Sequence, residues 1–151
     1  ENIERTQTLN IRAHRKDATL LDKESVEKAD IVLADVPCSG LGVIGKKTDI
    51  KYRTDEDKIQ ELAVLQKQIL HNAASYVKPG GILIYSTCTI TSEENQSNVA
   101  WFTENYPFVL ESLDPYLCEE LHSETTAQGW LQLLPGVRKT DGFFLARMRK
   151  K

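Results

Sequence analysis

The sequence predicts an α/β fold that is built on parallel strands and ends in an antiparallel hairpin. Two short apolar runs, residues 30–35 and 81–86, have the continuous hydrophobic character of strands covered on both faces. Between them, apolar residues recur every three or four positions from Ile59 to Val77, which is the spacing of one helical face. A strand, a helix and a strand in this order predict a βαβ unit with two parallel, neighbouring strands.

The ends of the long helix have their own signals. Thr54 followed by Asp57 is an N-terminal capping signal, and Pro79 provides the stop. We expect the helix to begin just after Thr54, with the second strand following the turn residues 78–80.

A second helix is expected after the second strand. Thr91 and Glu94 have the spacing of a capping box. The apolar side of this helix is then formed by Val99, Phe102 and Tyr106, and it ends before Pro107.

The last third of the chain changes to short strand-like runs at residues 108–113, 130–134 and 143–148. A turn-rich segment joins the last two, which predicts an antiparallel hairpin that closes the sheet. Near the start of the chain, residues 10–14 are a weaker strand candidate that leads to Asp17.

Composition excludes several classes of protein. The chain has 151 residues, of which 40% are hydrophobic and 27% charged, so it is neither disordered nor fibrous. The 19 basic and 22 acidic residues give a net charge of −3, so any site for a polyanion must be local. There is no apolar run of the roughly 18 residues that a membrane span needs, and no signal-peptide character.

Cysteine usage indicates a reducing compartment. The three cysteines form no C-x-x-C pair and leave one over, so neither a disulfide framework nor a metal site is indicated, and a cytoplasmic location fits best. The first residue is Glu1 rather than methionine, from which we expect the chain to be a piece of a longer polypeptide.

Two cysteines follow the two core strands. Cys38 lies three residues past Asp35, and Cys88 lies two past Ser86. Ligands of open α/β sheets bind outside the carboxyl ends of the strands, so both thiols are expected to face one crevice. The alternative is that each is a small buried hydrophobe, which is the commoner fate of a free cysteine. The hydroxyl and glycine neighbours of both cysteines argue against this alternative.

Other candidates are less specific. Cys118, in the stretch Tyr-Leu-Cys-Glu, lacks the turn-rich setting of the other two cysteines and is expected to pack in the interior. No histidine is accompanied by an obvious acid. A basic cluster near Tyr52 suits a phosphate backbone and a stacked base, although a solvated surface loop is an equal alternative. The cluster consists of Lys46, Lys47, Lys51 and Arg53. A basic tail has the same ambiguity and consists of Arg147, Arg149, Lys150 and Lys151.

An ordered series of motifs gives the chain a family resemblance. The motifs are Asp-Val-Pro-Cys-Ser-Gly at 35–40, Asp-Ile-Lys-Tyr at 49–52, Leu-Gln-x-x-Ile-Leu at 65–70, Lys-Pro-Gly-Gly at 78–81, Ser-Thr-Cys-Thr at 86–89, Gln-Leu-Leu-Pro at 132–135 and Thr-Asp-Gly-Phe-Phe at 140–144. Together they resemble the RNA 5-methylcytosine methyltransferases of the RsmB/Sun type over nearly the whole chain.

The resemblance implies a Rossmann-like fold and an S-adenosylmethionine-dependent enzyme that methylates cytosine in RNA, with small-subunit ribosomal RNA as the expected partner. It assigns to Cys88 the thiolate that adds to C6 of the base, which makes C5 able to attack the methyl group. It assigns to Cys38 the release of the product, by assisting loss of the C5 proton and elimination of Cys88.

The resemblance also implies the contacts of the cofactor and the base. Asp17, Asp35 and Pro37 correspond to cofactor-binding positions, with Asp17 at the adenine amino group. Asp35 is expected to bind the cytosine edge and to favour protonation of N3. From the residues alone, Asp17 is a turn former and Asp35 is a carboxylate at a strand end that caps a nearby turn.

The sequence also departs from the family pattern. It contains no G-x-G-x-G loop for the cofactor and no acidic residue for the ribose, so we expect residues 1–151 to be a partial catalytic domain without the first two strands. Weak cofactor binding and little turnover would follow, because the loop supplies backbone donors. The strand at residues 31–35 should have an open edge that self-associates or pairs with the segment around Ile11.

Two further functions remain open at this point. One is a non-catalytic RNA-binding or assembly module. The other is a thiol hydrolase that uses Cys88 or Cys38 with His71 or His122.

Overall fold

The strands of the described residues form one mixed sheet in the order β1-β2-β5-β3, with β4 also beside β5. The structure, a computed structural model, describes residues 5–46, 49 and 54–151. The strands are β1 (Ala29–Asp35), β2 (Val77–Thr87), β3 (Phe108–Leu110), β4 (Trp130–Leu133) and β5 (Phe143–Lys150). The helices are α1 (Glu56–Tyr76), α2 (Gln96–Asn105) and α3 (Glu124–Gln128).

The predicted βαβ unit is confirmed, because β1 and β2 are parallel neighbours joined through α1. Ile31 lies opposite Ile82, and Asp35 lies opposite Ser86. β2 begins earlier than predicted, at Val77, and the register is irregular over the next four residues. Proline lacks an amide hydrogen and Gly80 has a φ of +76°, so this stretch is suited to a bulge rather than a regular ladder.

Helix α1 starts and stops close to its predicted bounds. Its N-cap is Asp55 rather than Thr54, and the Asp55 carboxylate accepts from the Lys58 amide at 2.8 Å. The helix ends at Tyr76, three residues before Pro79, because Val77 is extended and already belongs to β2.

The predicted capping box of the second helix is wrong. α2 begins at Gln96 and its N-cap is Asn95. Thr91 instead donates its hydroxyl to the Glu94 side chain, and the Glu94 side chain is fully buried. The spacing fits a capping box, but the Glu94 carboxylate instead accepts hydrogen bonds from Ser39 and Gln66, which are distant in the chain.

The C-terminal hairpin is confirmed. β4 pairs antiparallel with β5, with Trp130 opposite Ala146, and β5 pairs antiparallel with β2. β3 pairs with the last residues of β5 and is shorter than the run predicted at residues 108–113.

The strand predicted at residues 10–14 is wrong. This segment has no regular structure and Ile11 is half exposed, because it has no paired strand among the described residues. The expected pairing of the Ile11 segment with β1 is therefore also wrong.

The core lies between one face of the sheet and helices α1 and α2. Its fully buried members are Leu70, Val77, Leu83, Tyr85, Phe102, Phe144, Ala146 and Met148. On the opposite face of β1, Ile31 and Leu33 are 62% and 65% exposed, because no described element packs there. The expectation that β1 is covered on both faces is thus wrong, whereas its position at an edge of the sheet is confirmed. No helix of the described part of the chain combines the length and apolarity that crossing a bilayer demands.

Candidate active site at the ends of two parallel strands

The structure brings Cys38 and Cys88 together. β1 ends at Asp35 and β2 ends at Thr87, and because the strands are parallel both cysteines leave the sheet at the same edge. Their Sγ atoms are 3.2 Å apart, and the Cys88 amide donates to the Cys38 sulfur at 3.3 Å. Both are free thiols and half-buried, so the pair is partly exposed to solvent.

The two thiols differ in their surroundings. Burial raises the pKa of Cys38 to about 12, and the hydrogen bond and charge of Cys88 add to this effect. Cys38 therefore holds its proton more firmly than an ordinary thiol does.

A side chain of α1 and a backbone carbonyl of β2 hold the residues that directly precede Cys38. The Gln66 amide nitrogen donates to the Pro37 carbonyl at 2.9 Å. The Val36 amide donates to the Ser86 carbonyl at 3.2 Å, which continues the parallel ladder past the end of β1. Pro37 itself is exposed on the surface. The backbone that leads into Cys38 is thus held from two elements.

Two glycines allow three segments to meet behind the cysteines. The Gly42 amide donates to the carbonyl of Cys88, and the Gly142 amide donates to the carbonyl of Gly42. An added Cβ at Gly42 would lie 2.7 Å from the Cys88 oxygen, so the approach requires glycine. The sequence contained both glycines within or beside its motifs but did not indicate that they touch.

Glu94 is the residue of this site that the sequence did not identify. Its carboxylate is completely buried and accepts four hydrogen bonds, from the Ser39 amide at 2.9 Å, the Ser39 hydroxyl at 2.5 Å, the Gln66 amide nitrogen at 2.8 Å and the Thr91 hydroxyl at 2.8 Å. The Ser39 hydroxyl is also 2.7 Å from that of Thr89. The signal available in the sequence, Thr91 three residues before Glu94, fitted a helix cap equally well.

Asp35 lies at the end of β1 with an exposed side chain. The Ser86 hydroxyl donates to its Oδ1 at 2.8 Å, and its Oδ2 has no hydrogen bond to any described residue. One carboxylate oxygen therefore remains available at the edge where the two cysteines lie.

Asp17 forms the turn that its residue type favours. Its Oδ1 accepts from the amide and the hydroxyl of Thr19 at 2.9 and 2.7 Å, which lowers the pKa of Asp17 and keeps it ionised. Its Oδ2 carries no hydrogen bond from the described residues. The carboxylate lines a pocket of about 530 Å³ whose apolar wall includes Leu20, Ile31 and Val32.

Only part of the predicted RNA-binding cluster can be placed. Lys46 forms an ion pair of 2.5 Å with Asp141, and its side chain is 73% exposed. Lys47, Lys51 and Arg53 lie outside the described residues.

Three residues of the basic tail belong to strand β5 and pair with acidic side chains, whereas Lys151 follows the strand and is exposed. Arg147 and Arg149 both pair with Glu111, at 2.8 and 2.7 Å, and Lys150 pairs with Glu27 at 3.0 Å.

The remaining candidates lie elsewhere. Cys118 is exposed, so the prediction that it packs inside is wrong; it precedes a short turn at the surface. His71 contacts the Tyr106 hydroxyl at 2.8 Å, and His122 contacts the carbonyl of Asp114 at 3.0 Å. No histidine in the described ranges hydrogen-bonds to Cys38 or Cys88, so the geometry offers no Cys-His pair.

The chain has extensive similarity to known proteins. The family model described as 16S rRNA methyltransferase RsmB/F matches residues 1–149. Ribosomal RNA small subunit methyltransferase F of Escherichia coli is 35% identical over 150 residues, which cover 99% of this chain and 31% of that protein. The chain thus spans about a third of the length of this curated relative.

Two solved structures share the fold. A methyltransferase homolog protein from Pyrococcus horikoshii has a TM-score of 0.78 and 32% identity, covering 99% of this chain and 48% of that one. NSun6 from Pyrococcus horikoshii, solved with SFG, has a TM-score of 0.77 and 27% identity, covering 99% of this chain and 37% of that one.

Proposed function

Because the chain belongs to the 16S rRNA methyltransferase RsmB/F family, we propose that it is part of an enzyme that methylates C5 of a cytosine in small-subunit ribosomal RNA. The observation that carries the proposal is the 3.2 Å distance between the sulfur atoms of Cys38 and Cys88. The sheet that presents them is the Rossmann-like sheet of a methyltransferase, as in the solved homologue. Two neighbouring thiols are suited to a reaction in which both act on the same pyrimidine ring.

Cys88 acts as the nucleophile in this proposal. C5 of cytosine is a weak nucleophile, and addition of the Cys88 thiolate to C6 breaks the aromaticity of the ring. Formation of the C6–S bond shifts the electrons of the C5–C6 double bond toward C5. C5 thereby becomes the nucleophilic carbon of an enamine. C5 would then attack the methyl group of S-adenosylmethionine, whose bond to the sulfonium sulfur would break with the electron pair remaining on sulfur.

Cys38 completes the reaction. Once Cys88 is a thioether, it no longer offers the hydrogen bond and charge that help to raise the pKa of Cys38. Cys38 then loses its proton to solvent more readily, and its thiolate accepts the C5 proton. The electron pair of the C5–H bond forms the C5–C6 double bond, the C6–S bond breaks, and Cys88 leaves as a thiolate.

Asp35 orients the base. Its free carboxylate oxygen can accept from the exocyclic amino group of cytosine while Ser86 holds the other oxygen. This contact fixes the ring over the thiols and favours a proton on N3 as negative charge builds up during the addition.

The residues at the Asp17 pocket fit S-adenosylmethionine, which supplies the methyl group. An adenine ring needs an apolar wall and an acceptor for its amino group, and the pocket offers Ile31 and Val32 beside the open Oδ2 of Asp17. The relative NSun6 was solved with SFG, an analogue of this cofactor. Asp35 and Pro37 are the other residues that we propose to contact the cofactor.

The basic cluster would neutralise the phosphates of a single-stranded RNA segment. The C6 atom must be accessible for attack, so the target cytosine has to be unstacked. Lys46 would exchange its partner Asp141 for a phosphate, and we assign Lys47, Lys51 and Arg53 to the same surface.

The decisive experiment traps the covalent adduct. The full-length protein is incubated with S-adenosylmethionine and an RNA that carries 5-fluorocytosine, whose fluorine cannot be removed as a proton is. We expect a stable adduct on Cys88 in peptide mass spectrometry. An adduct on Cys38 would reverse the two roles, and a turnover-competent enzyme that forms no adduct would remove the mechanism.

A further inference from the structure

We infer that Glu94 is a positioning residue, whose buried carboxylate holds the loops of Cys38 and Cys88 in a single arrangement. The inference rests on the proposed function, because it is the reaction that requires this arrangement. Glu94 contacts neither sulfur, and therefore acts through the residues that flank them.

The two carboxylate oxygens of Glu94 accept two hydrogen bonds each. The Ser39 amide and the Gln66 amide nitrogen can only donate, and both point at Oε1. The hydroxyls of Ser39 and Thr91 point at Oε2. No lysine, arginine or histidine of the described residues forms an ion pair with this carboxylate. A buried carboxyl group is tolerated only when hydrogen bonds replace its hydration, which these donors do.

The direction of the hydrogen bonds connects the two cysteine loops. Since Ser39 gives its hydroxyl proton to Glu94, the Thr89 hydroxyl must donate to Ser39 in the 2.7 Å contact. Ser39 follows Cys38 directly, and Thr89 follows Cys88 directly. One carboxylate therefore determines the position of the residue after each thiol.

The same carboxylate also controls the residue before Cys38. Gln66 donates through one amide nitrogen both to Glu94 and to the Pro37 carbonyl. The other end of Gln66 accepts from the buried Asn98 at 2.8 Å, so Gln66 cannot turn away. Cys38 is thus fixed on both sides by groups that converge on Glu94.

Placement of this kind affects rate more than binding. A displacement of about 1 Å at reacting atoms can lower turnover about 100-fold. The RNA contacts proposed above do not involve Glu94. A change at Glu94 should therefore reduce kcat and leave the KM for RNA nearly unchanged.

The test uses a chemical probe of the distance between the thiols. Phenylarsine oxide condenses with two neighbouring thiols, forming two As–S bonds and releasing one water. Its binding to the full-length protein is followed by the protection of Cys38 and Cys88 from alkylation, mapped by mass spectrometry. This readout needs neither cofactor nor RNA.

Three variants are compared. We expect Glu94→Ala to weaken arsenical binding at least about tenfold and to lower kcat about 100-fold, with the KM for RNA within about threefold of wild type. Glu94→Gln should recover most of both, because its amide oxygen can accept from the Ser39 and Gln66 N–H groups while its nitrogen donates to hydroxyls. Glu93→Ala is the matched control, because Glu93 is exposed and its carboxylate accepts a hydrogen bond of 3.2 Å from the hydroxyl of the adjacent Ser92. This variant should behave as wild type.

A fourth variant tests the inference in case Glu94→Ala does not fold. Thr89→Val keeps the shape and the buried carboxylate but removes the link between Thr89 and Ser39. It should weaken arsenical binding in a protein with a normal circular dichroism spectrum. If Glu94→Ala folds and keeps the wild-type affinity for phenylarsine oxide and the wild-type kcat, the inference is overturned. If Glu94→Ala does not fold, the same result in Thr89→Val overturns it. A wild-type protein that binds the arsenical but methylates no RNA would overturn the proposed function alone, and the arsenical series would still decide the role of Glu94.

Discussion

The amide of Gly42 donates a hydrogen bond of 3.0 Å to the carbonyl oxygen of Cys88, so the loop after one cysteine supports the backbone of the other. Gly142 donates to the Gly42 carbonyl at 2.8 Å and adds a third segment to the crossing. A Cβ at position 42 would lie 2.3 Å from the Gly142 oxygen, which no side chain can do without moving the backbone. The position of Cys88 therefore depends on the absence of a side chain 46 residues earlier.

Gly42→Ala is expected to displace Cys88 and to destabilise the fold by about 1–3 kcal/mol, the range of overpacking at a closely packed site. Methyl transfer should fall about 100-fold. Chemical denaturation and initial rates check the two effects. Gly45→Ala is the control, because a Cβ at Gly45 meets no atom within 4 Å. Equal stability and rate in the two variants would contradict this role of Gly42.

The sequence was sufficient to find the two cysteines but not what holds them. Cys38 and Cys88 each follow an apolar run, and parallel pairing puts both at one edge of the sheet, so their approach follows from topology. The spacing of Thr91 and Glu94 fits a helix cap and an interloop contact equally well. The choice depends on Ser39 and Gln66, which are 55 and 28 residues away in the chain, and no local pattern encodes it.

Local sequence patterns also do not decide which apolar segments form strands, because a strand needs a neighbouring strand to pair with. Residues 81–86 form a strand that β1 and β5 flank, whereas residues 10–14, the weaker candidate, have no ladder in the described structure. Ile31 and Leu33 have the apolar character of a doubly covered strand, yet they are exposed on one face. Propensity identifies candidate strands, and pairing decides which of them form.

The roles proposed for Cys38 and Cys88 predict different defects in their alanine variants. Cys88→Ala is expected to abolish both product and covalent adduct, because no thiolate reaches C6. Cys38→Ala should still form the bond to C6 of ordinary cytosine but release it slowly, so that a protein–RNA adduct accumulates. A denaturing gel with labelled RNA distinguishes these outcomes. Cys118→Ala should resemble wild type, since this thiol is exposed in a surface turn. An adduct in Cys88→Ala and none in Cys38→Ala would exchange the roles.

The open edge of β1 predicts self-association of the 151-residue chain. Ile31 and Leu33 are exposed beside backbone groups that face no described strand, which favours pairing with another edge. Sedimentation should show an average mass that rises with concentration. Leu33→Lys should reduce this rise, because a charge disfavours edge pairing. Val64→Lys, which alters a side chain that is 56% exposed on α1, should not. A monomer at every concentration would refute the prediction.

The raised pKa of Cys38 predicts how its alkylation rate depends on pH. Because burial raises its pKa well above that of an ordinary thiol, only a very small fraction of Cys38 is a thiolate at pH 8. Alkylation of Cys38 by iodoacetamide should therefore increase about tenfold per pH unit up to pH 10, where glutathione, with a thiol of ordinary pKa, has already levelled off. In Cys88→Ala the hydrogen bond and charge of the neighbouring thiol are lost while burial persists, so the pKa of Cys38 should fall and its alkylation at pH 8 should accelerate. The rate is measured by mass spectrometry of the Cys38 peptide. A rate that levels off near pH 9 in the wild type, or one unchanged by Cys88→Ala, would contradict a pKa of Cys38 that burial and Cys88 together raise.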